Sequence, residues 1–183
     1  MITNKFDVYF EKQSQNMLFS WPDKYLLKAF AIAASDLDNN KITTFELNSG
    51  DIIKRYGLMG LTLGSWNNAN LMNGGKFPKF GSERKDILWN VLVGAHYIAW
   101  ARRLIAKELE SGIADPNEVP TWLLAAMYWM GPERIEDIRK FLNKDMGGVI
   151  LNYEVAKEYL DKDVKSFCDG VESIDRVLRK GLK

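Results

Sequence analysis

The chain of 183 residues holds one cysteine and one histidine. Cys168 has no partner for an internal disulfide, and with His96 the only imidazole there is no Cys/His set for zinc. Cys/His metal centres and Ser-His triads are therefore poor readings. Neither sign of charge is in excess: Lys plus Arg number 25 against 24 Asp plus Glu, a formal net charge of +1. That balance gives no reason to expect nucleic acid or an anionic membrane as partner, so a bound polymer would be gripped by shape and hydrogen bonds. A long apolar run is missing too. The longest uncharged helical stretch, "ILWNVLVGAHYIAWA", has about 15 residues and is too short to span a bilayer. The opening "MITNKFDVYFEKQ" is charged at positions 5, 7, 11 and 12 and lacks the apolar core of a Sec signal, so a cytoplasmic start is expected and export would need a helper.

What is present is ordinary globular material, 46% hydrophobic and 12% aromatic, enough for one domain over residues 1–183. Apolar residues recur at helical spacing through most of the chain, and no clean alternating strand pattern runs longer than a few residues. The class expected is all-α. Helices are predicted over Lys5 to Leu18, Pro22 to Ala34 with the proline in the first turn, Phe45 to Tyr56, Arg84 to Ser111, Pro120 to Met130, Glu133 to Leu142 and Tyr153 to Gly181. Between Gly57 and Ser82 the chain is rich in Gly and Asn and poor in charge, which predicts a loop-rich insert with a short helix around Leu63 to Leu71.

Four separated pieces carry a resemblance. They are "FDVYFEKQSQNMLFSWPDKYLLKAFAIAASDLD", "YGLMGLTLGSW", "NVLVGAHYIAW" and "LAAMYWMGPERI". In this order they resemble the lysozyme-like soluble lytic transglycosylases, which cut the glycan strands of peptidoglycan: an opening helix with "LLKAI-x-x-x-E-S", then "GLMQ" before a Thr-containing helix, then N-x-x-x-G-x-x-Y-L, then "LAAYNAGPGRV". The resemblance covers about Phe6 to Ile135, and 136–183 would be a helical C-terminal extension packed on it.

The alignment implies a lysozyme-like fold and puts the family's catalytic glutamate on Ala34, with Ser35 on the serine of "E-S". A methyl group cannot transfer a proton, so the chain is expected to lack the family's chemistry unless a neighbour such as Asp36 substitutes. Asp36 lies two residues on, about 200° round a helix, and would reach the cleft only if the helix had ended. Either the alanine replaces a parental Glu by an introduced change, or the chain is a natural pseudoenzyme. Gly60 in place of the Gln of "GLMQ" and Trp129 in place of the Asn of "YN" are further departures. In the family one glutamate of raised pKa protonates the glycosidic oxygen and then accepts a proton from the sugar's own C6 hydroxyl, giving a 1,6-anhydro product. Water attack would instead need a second acid, for which Glu46 is nearest in sequence. Carried over by position are Ser35, Gly57, Leu58 and Met59 on the cleft floor, Tyr128 with its hydroxyl toward the acid, and Gly131 beside it. Trp66 and Trp129 are the tryptophans placed to stack on sugar, while Trp89, Trp100 and Trp122 are expected inside. Met59, Met72, Met127 and Met130 either line the groove or fill the core.

"DLDNNKITTFE" looks like a calcium loop, with Asp36, Asp38 and Asn40 at alternate positions and Glu46 as the closing ligand. It is one residue short and has no glycine at the sharp turn, so a polar loop with an Asx turn is the competing reading. The cofactor expectation is none, or calcium here. The final segment has an apolar stripe at Val155, Tyr159, Val164, Phe167, Val171, Ile174 and Leu178, suited to packing on the same domain or to docking a partner. The function expected is peptidoglycan strand cleavage with its acid missing, at the cell wall or in a phage particle. The alternatives are a non-catalytic glycan-binding or structural protein of a phage tail or secretion assembly, and a calcium-regulated helical module.

Overall fold

The computed structural model describes residues 4–16, 22–46, 50, 52–108, 115, 118–131, 153–158 and 160–181. It is mainly helical, with α1 Asp7–Asn16, α2 Lys24–Ser35, a hairpin of β1 Ile42–Glu46 and β2 Ile52–Tyr56, α3 Leu63–Met72, α4 Ile87–Glu108, α5 Thr121–Met130, α6 Tyr153–Ala156 and α7 Lys162–Lys180. The helix expected over Glu133 to Leu142 lies outside the described residues.

The chain corrects the all-α expectation at one place. Residues 45–46 and 52–56, expected in a helix, are strand; β1 and β2 pair antiparallel, with Thr44 opposite Lys54 and Phe45 opposite Ile53. The reason is legible afterwards. "ITTF" and "II" are β-branched and aromatic, and "LNSGD" between them is turn material, which favours a pleated, half-buried surface over a helix. The C-terminal segment is likewise two helices, since Asp161 is extended (ψ 151) at the start of α7.

Local chemistry explains the other ends. Asp23, rather than Pro22, caps α2: its carboxylate accepts the backbone N–H groups of Tyr25 and Leu26 at 3.0 and 2.9 Å. At its far end Asp36 turns left-handed (φ 56) and its N–H closes on the carbonyl of Ile32. Thr62 and Ser65 form a reciprocal box at the start of α3.

The core gathers α2, α4, α5 and α7 around a run of aromatic rings. Tyr128 on α5 meets Phe30 of α2 edge-on at 4.9 Å, Tyr97 of α4 at 5.2 Å and Phe167 of α7 at 6.1 Å. Phe167 also stacks on Trp129 at 4.3 Å. Helix α7 therefore belongs to this core: Val164, Phe167, Cys168 and Val171 are buried, and Gly170 brings its backbone against Ala33 of α2, where a Cβ would lie 3.5 Å from that of Ala33. Polar clasps hold its two ends, Trp129 Nε1–H donating to Asp163 at 3.1 Å and Arg179 pairing with Asp23 at 2.8 Å. On the other flank α1 is tied to α2 through the buried Lys28, which pairs with Asp7 at 2.6 Å.

Phe167 is the ring that joins α2 and α5 to the last helix. Phe167→Ala is expected to lower unfolding free energy by about 3–5 kcal/mol in urea titrations, with a full-length chain that still folds at low temperature.

Candidate functional site

The four pieces that carry the sequence resemblance converge on one short loop. Residues 57–60 are closed at their base by the backbone pair of Tyr56 and Leu61, N–H to O 2.9 and 3.0 Å, and Gly60 N–H returns to the Gly57 carbonyl at 3.1 Å. Gly57 and Gly60 both sit at positive φ (73 and 61), where a side chain is strained.

Asn90, at the start of α4, holds the loop from below. Its Oδ1 accepts the Met59 N–H at 2.6 Å, while its amide donates to the carbonyls of Tyr56 at 3.2 Å and Arg84 at 2.7 Å. The Asn90 amide lies so close to Gly57 that a Cβ there would stand 2.4 Å from Nδ2. One turn on, Gly94 leaves room for Met59, whose Cγ would be 2.8 Å from any added Cβ. From α2 the Ser35 hydroxyl donates to the Leu58 carbonyl at 2.8 Å and lies 2.9 Å from that of Ala31. From α5 the Tyr128 hydroxyl donates to the Met59 carbonyl at 2.6 Å. From β2 the Arg55 guanidinium donates to the carbonyls of Gly60, at 3.1 Å, and of Trp129, and lies 4.1 Å from the Trp129 ring.

Ala34 ends α2 beside this loop. It is 6% exposed, and a Cβ on Gly60 would stand 3.0 Å from its own Cβ. No known protein family, curated protein or solved structure matches this chain.

Several expectations are corrected by these positions. Tyr128 is fully buried and gives its proton to a backbone carbonyl, so its hydroxyl is a loop anchor. Trp66 offers no face to a sugar: it is completely buried against Phe80, with its indole N–H on the Pro78 carbonyl at 2.9 Å. Trp129 is covered by Phe167 and Arg55 and stacks on Phe45 at 6.3 Å. Ser35, Gly57, Leu58, Met59 and Gly131 are buried. Met127 and Met130 are core, and Met72 stands half exposed. Trp122 is inside as expected, and Trp89 and Trp100 are only partly covered.

The calcium ligands do not gather. Asp36 pairs with Lys41 at 3.6 Å, Asp38 accepts the Asn40 N–H at 2.9 Å in an Asx turn, and Glu46 is exposed at the end of β1. Among the described residues no three acidic, histidine or cysteine side chains lie together in a way that would hold a metal ion. Asn90 and Gly94 stood in the quoted N-x-x-x-G piece, which was the signal for their role. Arg55 had none, because it fell in a segment read as helix.

Burial pushes the Tyr128 hydroxyl well above the ordinary value of 10.0, against the opposing charge of Arg55, and burial beside Asp169 and Glu172 pushes the Cys168 thiol far above 9.0. Both groups keep their protons in the folded chain at a pH where the unfolded chain loses them. The stability they contribute is complete below pH 9.0 and falls as pH rises past 9.0 and 10.0. Tyr128→Phe should flatten that decline above pH 10 by up to ~1.4 kcal/mol per pH unit in urea titrations. Asn90→Leu, which takes the partner from the Met59 N–H and from the Arg84 carbonyl and the second donor from the Tyr56 carbonyl, should lower unfolding free energy by ~3 kcal/mol in the same assay.

Proposed function

We propose that this protein binds peptidoglycan glycan strands through a lysozyme-like groove and does not cleave them. The support is the convergence of the resembling pieces on the loop 57–60, which lies between the end of α2 and the end of α5. The observation that carries the non-catalytic part is the contact between Ala34 and Gly60.

A general acid for glycoside cleavage needs a carboxyl kept protonated near neutral pH and free to reach the glycosidic oxygen. Position 34 supplies neither. Gly60 lies so near that a Cβ on it would stand 3.0 Å from that of Ala34, and the Gly60 carbonyl is held by the Arg55 guanidinium. A carboxylate placed there would be desolvated in a tight contact and would stand near a cation that favours its ionised form, opposite to the raised pKa that acid catalysis requires. The exposed Asp36 is drawn to Lys41 instead. With net charge near zero, the grip on a glycan strand would come from hydrogen bonds and surface shape at the groove rim. Such a protein would serve at the cell wall, in a phage tail or in a secretion assembly as a holder of strands.

The other reading, a transglycosylase from which a single glutamate has been removed, makes a different forecast for one variant. The native chain should pellet with purified sacculi and release no muropeptides detectable by mass spectrometry. Ala34→Glu should release none either, and should lower unfolding free energy by ~3 kcal/mol through the buried carboxylate. Anhydro-muropeptides from Ala34→Glu would overturn the built-in loss of activity, and failure of the native chain to pellet would overturn glycan binding itself.

A further inference from the structure

Three large hydrophobic side chains that stand in water lie on the ten-residue helix α3: Leu63 is 54%, Leu71 76% and Met72 48% exposed. The helix carries no charge, "LGSWNNANLM", and buries Ser65, Trp66 and Ala69 on its inner side. At 3.6 residues per turn, Leu63, Asn67 and Leu71 follow one another along the outer side.

Beyond Met72 the chain turns through Gly74 and Gly75, both at positive φ, with open space where a Cβ would point. It then runs back along the helix. Gly75 N–H donates to the Asn70 carbonyl at 2.8 Å, Phe77 N–H to the Asn70 side chain at 2.8 Å, and the Pro78 carbonyl accepts from Trp66. Phe77 is buried against Trp89 and His96 of α4, 6.3 and 5.1 Å between ring centres. The returning segment thus sets the exposed Lys76 and Lys79 beside α3, and residues 57–82 contain these two lysines and no acid. The overall charge of +1 conceals this local excess.

We propose that the tip of α3 and its return segment dock on an anionic phospholipid surface, with Leu71 and Met72 entering the headgroup region and Lys76 and Lys79 facing the phosphates. The combination selects that occupant. A free phosphate or an anionic wall polymer would satisfy the lysines and leave Leu71 and Met72 in water. A peptide partner would want a concave seat, whereas residues 71–76 are exposed at every position except the half-buried Asn73. No helix among the described residues is long and apolar enough to cross a membrane, so the contact is superficial.

The test is co-sedimentation of the full chain with vesicles of phosphatidylcholine alone and of phosphatidylcholine and phosphatidylglycerol in equal parts. Binding is expected to the mixed vesicles only, to weaken with salt, and to persist in millimolar inorganic phosphate. Leu71→Asn with Met72→Asn should weaken partitioning roughly tenfold or more, and Lys76→Gln with Lys79→Gln roughly fivefold per charge removed. These side chains are exposed, so both variants should melt with the native chain; they should also pellet with sacculi as it does, which separates this surface from the glycan groove. Absence of binding to either vesicle, equal binding to both, or indifference to the Leu71 and Met72 exchanges would each overturn the proposal.

Discussion

One buried amide organises the loop on which everything near the candidate site depends. Asn90 accepts the N–H of Met59 in the loop and donates to the carbonyls of Tyr56 at the end of β2 and of Arg84 before α4, and so ties three pieces of chain together in the core. Left unpaired in such a place, the Met59 N–H or the Arg84 carbonyl would cost on the order of 1–3 kcal/mol. The glycines follow from that one fact. Gly57 must lack a side chain because the amide comes so near, Gly94 because Met59 is drawn down beside α4, and Gly60 because the turn that closes over Asn90 ends left-handed against Ala34. Ser35, Tyr128 and Arg55 then hold the remaining carbonyls of Leu58, Met59 and Gly60.

Helix α7 completes this arrangement from outside the resembling region. Without Phe167 the rings of Tyr128 and Trp129 would each lose a stacked partner, and without Asp163 the indole N–H of Trp129 would lose its acceptor. Trp129 in turn is clamped by Arg55, which reaches back to the loop. The hairpin, α5 and α7 therefore meet at one tryptophan, and a residue proposed to hold sugar serves as the joint between them.

How much of this could be read in the sequence follows from the range of the forces involved. Helices such as α2, α4 and α5 are set by local periodicity and capping, and their spans were foreseen within a few residues. The hairpin was not, because two five-residue strands with a masked alternation leave too short a pattern, and β1 and β2 are stabilised by each other and by the core beneath Phe45 and Arg55. Trp66 and Tyr128 stand in helices, as their surrounding spacing implied, yet the open-site roles given to them do not hold. Whether an aromatic ring faces solvent or core depends on which chain returns across it, here "KFPKF" over Trp66 and α7 over Tyr128. That is long-range information no spacing contains. The calcium reading failed to gather its ligands for a related reason: Glu46 is carried away along a strand while Asp36 and Asp38 stay at the end of α2.

The loop is held by Ser35, Arg55, Asn90 and Tyr128, and by no polar group at position 34. Fold and acid are thus separable in this architecture. An acid between a helix end and a tight turn would cost desolvation, a cost that the methyl group of Ala34 does not incur. The four anchors come from α2, β2, α4 and α5, and position 34 contributes only smallness: with a methyl group there and no side chain on Gly60, the end of α2 and the turn approach so closely that a Cβ on the glycine would stand 3.0 Å from that of Ala34.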